Sequence, residues 1–100
     1  WNMQICAAKL IFRIQESKSL KDKRQIVQAL KSRLVQKFNV SVAETAHVEN
    51  KNILELSIVC TSNAHFHSRS IIDNAVLLAE YLKPEAELLD IQRYEFSTED

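Results

Sequence analysis

Ser19-Leu-Lys-Asp-Lys-Arg-Gln-Ile-Val-Gln-Ala-Leu-Lys-Ser-Arg-Leu-Val-Gln-Lys-Phe38 runs directly into Asn39-Val-Ser-Val-Ala-Glu44. The first part reads as an amphipathic helix and the second as a strand. Ser19 is a natural N-cap, since its hydroxyl can accept from the free N–H groups of the first turn. Asp22 three residues on resembles a capping box with Asp in place of Glu. Leu20, Val27, Leu30, Leu34 and Phe38 recur at helical spacing, with Ile26 at the margin, and form the face that must be buried. At about 100° per residue, Lys21, Arg24, Gln28, Lys31 and Val35 fall within about 80° of one another on a different side. They make one ridge.

Outward from this helix the chain alternates in period. Before it, Gln4 to Gln15 reads as a strand. Cys6, Ala8, Leu10, Phe12 and Ile14 lie on an apolar face, and Ile5, Ala7, Lys9, Ile11 and Arg13 on a mixed one. After it, Asn39 to His47 and Ile53 to Thr61 read as strands joined by the polar turn Val48-Glu49-Asn50-Lys51-Asn52, which lacks the Gly of a tight primed turn. Leu54, Leu56, Ile58 and Cys60 share one face of the third strand. Ser62 or Asn63 is the expected cap of a second helix running to about Lys83. Its core stripe is Ile71, Ile72, Ala75, Leu78, Ala79 and Leu82, and Pro84 stops it. Glu85 to Phe96 contains a fourth strand.

The order β-α-β-β-α-β, with both crossovers right-handed, puts two helices on one face of an antiparallel sheet. The expected fold is an α+β ferredoxin-like sandwich with strand order 4-1-3-2. Residues 3–96 form its single domain, 1–2 are read as an appended remnant before Met3, and 97–100 as a frayed tail. In this topology Cys6 and Cys60 come close together beneath the helices. Both read as reduced core cysteines of a cytoplasmic protein.

Composition limits the function. The chain has 100 residues and a formal net charge of zero, with 46% apolar and 26% charged residues. The charge is segregated. From Lys18 to Lys37 seven bases (Lys18, Lys21, Lys23, Arg24, Lys31, Arg33, Lys37) face one acid, Asp22, whereas from Glu85 to Asp100 six acids face only Arg93. Such asymmetry points to an electrostatic surface. No apolar run is long enough to span a membrane. There is no glycine at all, which removes P-loop and Rossmann phosphate turns, since both need positive φ and close backbone approach.

Ser19-Leu-Lys-Asp-Lys-Arg24 and Lys37-Phe38-Asn39-Val-Ser-Val-Ala-Glu44, at this spacing, resemble the YlxP-like family of small bacterial proteins of unknown function. The resemblance extends over essentially the whole chain from Met3. It implies a ferredoxin-like fold, no established activity, and an association with translation or ribosome biology.

Few residues offer chemistry. His65-Phe-His67 is not a chelating pair on a helix, because positions i and i+2 point about 160° apart. Glu44 shares the inward face of Val40 and Val42 and needs a partner, for which Lys23 is placed. Neither has a nucleophile or second acid beside it. The third strand carries no aromatic residue for base stacking. We therefore expect no enzyme, no catalytic residue, no metal site and no cofactor. Two surfaces remain. Lys18, Lys21, Arg24 and Lys31 are the candidate phosphate contacts to rRNA or a ribosomal subunit. Ile5, Ala7, Ile11, Ala43 and Val59, with Ser41 and Ser57, make an open sheet face more apolar than a solvated one, a candidate interface for a homodimer or protein partner.

Overall fold

A computed structural model describes residues 2–15 and 17–98. The elements follow the expected order: β1 (Gln4–Ile14), α1 (Leu20–Lys37), β2 (Ser41–Ala46), β3 (Ile53–Ser62), α2 (His65–Leu82) and β4 (Ala86–Ser97). The sheet order β2-β3-β1-β4 is the predicted 4-1-3-2 read from the opposite edge, with every neighbouring pair antiparallel. The protein is thus an α+β ferredoxin-like sandwich.

Alternation in the strands and helical periodicity in α1 build the core. Leu10, Phe12, Leu30, Leu34, Leu54, Leu56 and Ile58 are fully buried between the sheet and the helices. Central β1 pairs with β3 on one side and β4 on the other. Cys6 lies opposite Cys60, and both are buried free thiols. Ser19 caps α1 as expected, its hydroxyl accepting from Asp22 N–H at 3.2 Å. The Asp22 carboxylate reaches back one residue further than in a capping box, accepting from Lys18 N–H at 3.1 Å.

Three expectations need correction. The N-cap of α2 is Ala64, with no side-chain hydrogen bond. Ser62 instead ends β3, and its hydroxyl accepts from Ala64 N–H and donates to Ala64 C=O. The second is the core stripe of α2. It includes Val76 and Ser68, both buried, whereas Ile71, Leu78 and Leu82 sit only partly buried at its margins. The third is the frayed tail expected at 97–100, whose first two residues are hydrogen-bonded. Ser97 closes β4, and Thr98 and Met3 exchange hydrogen bonds at 2.9 and 3.0 Å. The expected remnant at Trp1 and the last two tail positions, Glu99 and Asp100, lie outside the described residues.

In the β1–β4 ladder Ile11 pairs with Asp90 but Phe12 pairs with Leu88, so Leu89 is an extra, bulged residue. A bulge reverses which face later side chains occupy. Ala86 and Leu88 point to the helices before it. Ile91, Arg93 and Glu95 do so after it, and Tyr94 and Phe96 turn to the open face.

Candidate functional site

The two quoted sequence motifs meet in space. Lys23, from the first, is buried to 1% exposure despite its charge. Its ammonium lies 2.7 Å from Glu44 Oε2, in the second motif. It also donates to His47 C=O and Asn50 C=O, each at 2.6 Å. Those carbonyls belong to the β2–β3 turn. His47 takes φ of 58° there, a left-handed conformation that His tolerates better than most residues other than Gly. Lys23 therefore ties α1 to a glycine-free hairpin turn. Glu44 Oε2 is buried and accepts no well-aligned hydrogen bond, so its tie to Lys23 is an ionic contact. The cluster holds no nucleophile, and its geometry is that of a structural clamp.

With Lys23 withdrawn into the interior, six bases of the basic stretch stay on the surface. Lys18, Lys21, Arg24, Lys31, Arg33 and Lys37 are all exposed, as are Gln28 and Val35 of the ridge. The arginines outside this stretch behave differently. Arg13 pairs with Glu87, Arg69 with Glu95, and Arg93 with Asp73. Among the described residues, none of Lys18, Lys21, Arg24 and Lys31 forms an ion pair. Acids of β4 thus pair with bases of β1 and α2, an α2 acid pairs with Arg93 of β4, and the surface positive charge of α1 is left facing solvent. Two carboxylates of the acidic β4 segment, Glu87 and Glu95, are thus engaged within the chain.

The open sheet face carries Ile5, Ala7, Ile11, Ala43 and Val59, as alternation requires. Ile5, Ala7 and Ile11 are half-buried by their neighbours, while Ala43 and Val59 are exposed. The ladder places them in rows: Ser41, Val59, Ala7 and Tyr94 in one, Thr61, Ile5 and Phe96 in the next. Tyr94 and Phe96, 51% and 60% exposed, are the residues that sequence reasoning missed. They make one end of the face aromatic and apolar, with Lys9 Nζ 5.9 Å from the Tyr94 ring centre. The other end is polar. There Thr45 donates to Glu55, shares a hydrogen bond with Ser57 at 2.6 Å, and Asp90 and Arg13 lie across the sheet. The only sequence signal for the aromatic pair was its i, i+2 spacing, whose direction depends on the bulge at Leu89.

The cysteines and histidines divide between the two ends of the molecule. His47 lies at the Lys23 turn. His65 opens α2, with Nε2 3.6 Å from Glu95 Oε2, while His67 is exposed. Cys60 has its thiol pushed up by burial and then by the neighbouring Cys6. Cys6 Sγ lies 3.5 Å from Ser68 Oγ, as donor to it.

A βαββαβ sandwich with an ion-pair clamp between its first helix and its hairpin, a basic helix face and an open half-apolar sheet defines the class of protein. Residues 5–93 match the family described as Protein of unknown function (DUF503), and the chain belongs to that family. No curated protein matches it. No helix among the described residues is long and apolar enough to cross a membrane.

Proposed function

We propose that this is a non-enzymatic cytoplasmic module that binds structured RNA, with rRNA or a ribosomal subunit as the partner, through the exposed basic face of α1. One observation carries the reading. Apart from the buried Lys23, the bases of α1 face solvent without acidic partners among the described residues, whereas the arginines elsewhere are matched by carboxylates. Lys18, Lys21, Arg24 and Lys31 project from the entry and the first four turns of one helix, and at its N-terminal end the helix dipole adds to their positive potential. Such a surface contacts phosphates and gives salt-dependent affinity with little base discrimination. The resemblance to YlxP-like proteins points to the same setting in translation.

Binding of the chain to rRNA or isolated ribosomal subunits should weaken steeply with salt. Changing Lys21, Arg24 and Lys31 together to Glu should abolish it and, for any residual binding, lower the log–log salt slope by about one per lost contact. Affinity that ignores these changes, or no binding even at low salt, removes the proposal.

A second reading is favoured by the aromatic end of the sheet. Met3, Val59, Tyr94 and Phe96 are exposed there together, a grouping that usually marks an interface. In this reading Ile5, Ala7, Ile11, Ala43 and Val59 join them in a homodimer that does not involve nucleic acid. A specific dimer buries about 800 Å² per partner. Light scattering across a concentration series should then show a dimer that Tyr94→Glu dissociates. A monomer at high concentration rules this out.

A further inference from the structure

We propose that Cys6, His65 and Glu95 bind a divalent transition-metal ion of the zinc class, with the remaining position open to water. The ligand atoms of these three residues all lie within 4.8 Å of one another. They come from three elements. Cys6 and Glu95 are direct cross-strand partners in the β1–β4 ladder, and His65 is the first residue of α2, above that pair. Neither the spacing of His65 and His67 nor any sequence motif brings them together. The bulge at Leu89 does, because it turns Glu95 to the helix side of the sheet.

The distances suit a tetrahedral ion. Zinc–sulfur bonds of about 2.3 Å and zinc–nitrogen bonds of about 2.0–2.1 Å place neighbouring ligands about 3.3–3.6 Å apart. His65 Nε2 and Glu95 Oε2 are already at 3.6 Å. Both side chains are half-exposed, 41% and 46%, so small χ rotations close the remaining distance to Cys6 and leave an entry path. Cys6 itself is buried and fixed, which sets the deep end of the site.

The surroundings supply what such a ligand set needs. Arg69 Nε lies 3.8 Å from Glu95 Oε1, holding one carboxylate oxygen and leaving Oε2 for the ion. Ser68 is fully buried. Its hydroxyl sits against Cys6 Sγ and can rotate to donate to a thiolate. Outer partners of this kind orient ligands and tune affinity. The first turn of α2 has no side-chain cap, and its positive dipole end favours a thiolate beside it. A thiolate, an imidazole and one carboxylate select zinc or its borderline-soft neighbours over magnesium or calcium, which prefer all-oxygen shells. This inference is independent of RNA binding.

The test uses the full, tag-free chain, reduced and stripped with chelator. Titration with cobalt(II) should saturate at one ion per chain, with a thiolate-to-cobalt charge-transfer band and the intense d–d absorption of a tetrahedral ion. Zinc should displace it and raise the Tm by mass action. Cys6→Ser should remove the charge-transfer band. His65→Gln and Glu95→Gln should each weaken binding more than the about 10–100-fold typical of an outer-partner change. Ser68→Ala should fall inside that range, and His67→Gln should leave binding unchanged. If Cys6→Ser does not fold, the partly exposed His65 and Glu95 variants decide with the cysteine present. The proposal is overturned by absence of a charge-transfer band, by a band lost in Cys60→Ser but not Cys6→Ser, or by His67→Gln costing as much as His65→Gln.

Discussion

Replacing Lys23 with methionine should lower the unfolding free energy by about 3–5 kcal/mol, because removing one partner of a buried ion pair strands the other charge. Here the loss is compounded. Glu44 would keep a buried carboxylate with no cation, and the His47 and Asn50 carbonyls would lose their shared donor. For a domain of this size each kcal/mol moves Tm by about 4–8 °C, so thermal and urea unfolding should both register the change clearly. Glu44→Gln should cost less, about 1–3 kcal/mol, since the ammonium keeps its two carbonyls. Lys23→Met combined with Glu44→Leu should recover part of the loss, with a coupling energy of about 0.5–3 kcal/mol. If Lys23→Met costs under about 1 kcal/mol, the clamp is ornamental and the burial of Lys23 needs another explanation. The same variant separates structure from RNA contact. Lys23 is buried, so its loss acts on stability, whereas Lys21, Arg24 and Lys31 lie on the surface and their reversal should act on binding.

Phe12→Ala should cost about 3–5 kcal/mol. Phe12 is fully buried toward the end of the central strand β1, between Leu54 of β3 and Leu88 of β4. The sheet closes it from both sides and the helices from above, so the site cannot collapse around the missing ring. Phe66 provides the contrast. It is 85% exposed on α2, and Phe66→Ala should stay within about 0.5 kcal/mol. Equilibrium denaturation of the two variants side by side checks both. A Phe12→Ala loss below about 2 kcal/mol would mean that the core repacks far more freely than close-packed interiors do.

Much of the architecture was legible because it rests on short-range rules. The alternation of Cys6 through Ile14 and of Leu54 through Cys60 named the buried faces correctly. Ser19 capped its helix because a hydroxyl there is the nearest acceptor for the first turn. Lys23 and Glu44 were matched because each sits on an inward face where an unpaired charge is costly. The cap of α2 was misplaced because Ser62 and Asn63 are both good cap types, and only the continuation of β3 through Ser62 shifts the start to His65. The sites were less legible than the fold. Exposure of the α1 bases follows from helical periodicity, but their lack of partners depends on acids that β4 delivers to other bases.

What the sequence determined by itself is the order of elements, the inward faces of β1, α1 and β3, and from these the ferredoxin-like sheet. Those are set by periodicity and connection rules acting within about 20 residues. The tertiary structure alone decided the direction of β4. Its ladder with β1 admits Leu89 as an extra residue, and a strand whose side chains repeat every second residue exchanges its two faces when one residue is inserted. That single bulge sends Tyr94 and Phe96 to the open face and brings Glu95 over Cys6 and His65. Both outcomes depend on pairing between residues far apart in the chain, Ile11 with Asp90 and Phe12 with Leu88, which no local pattern encodes.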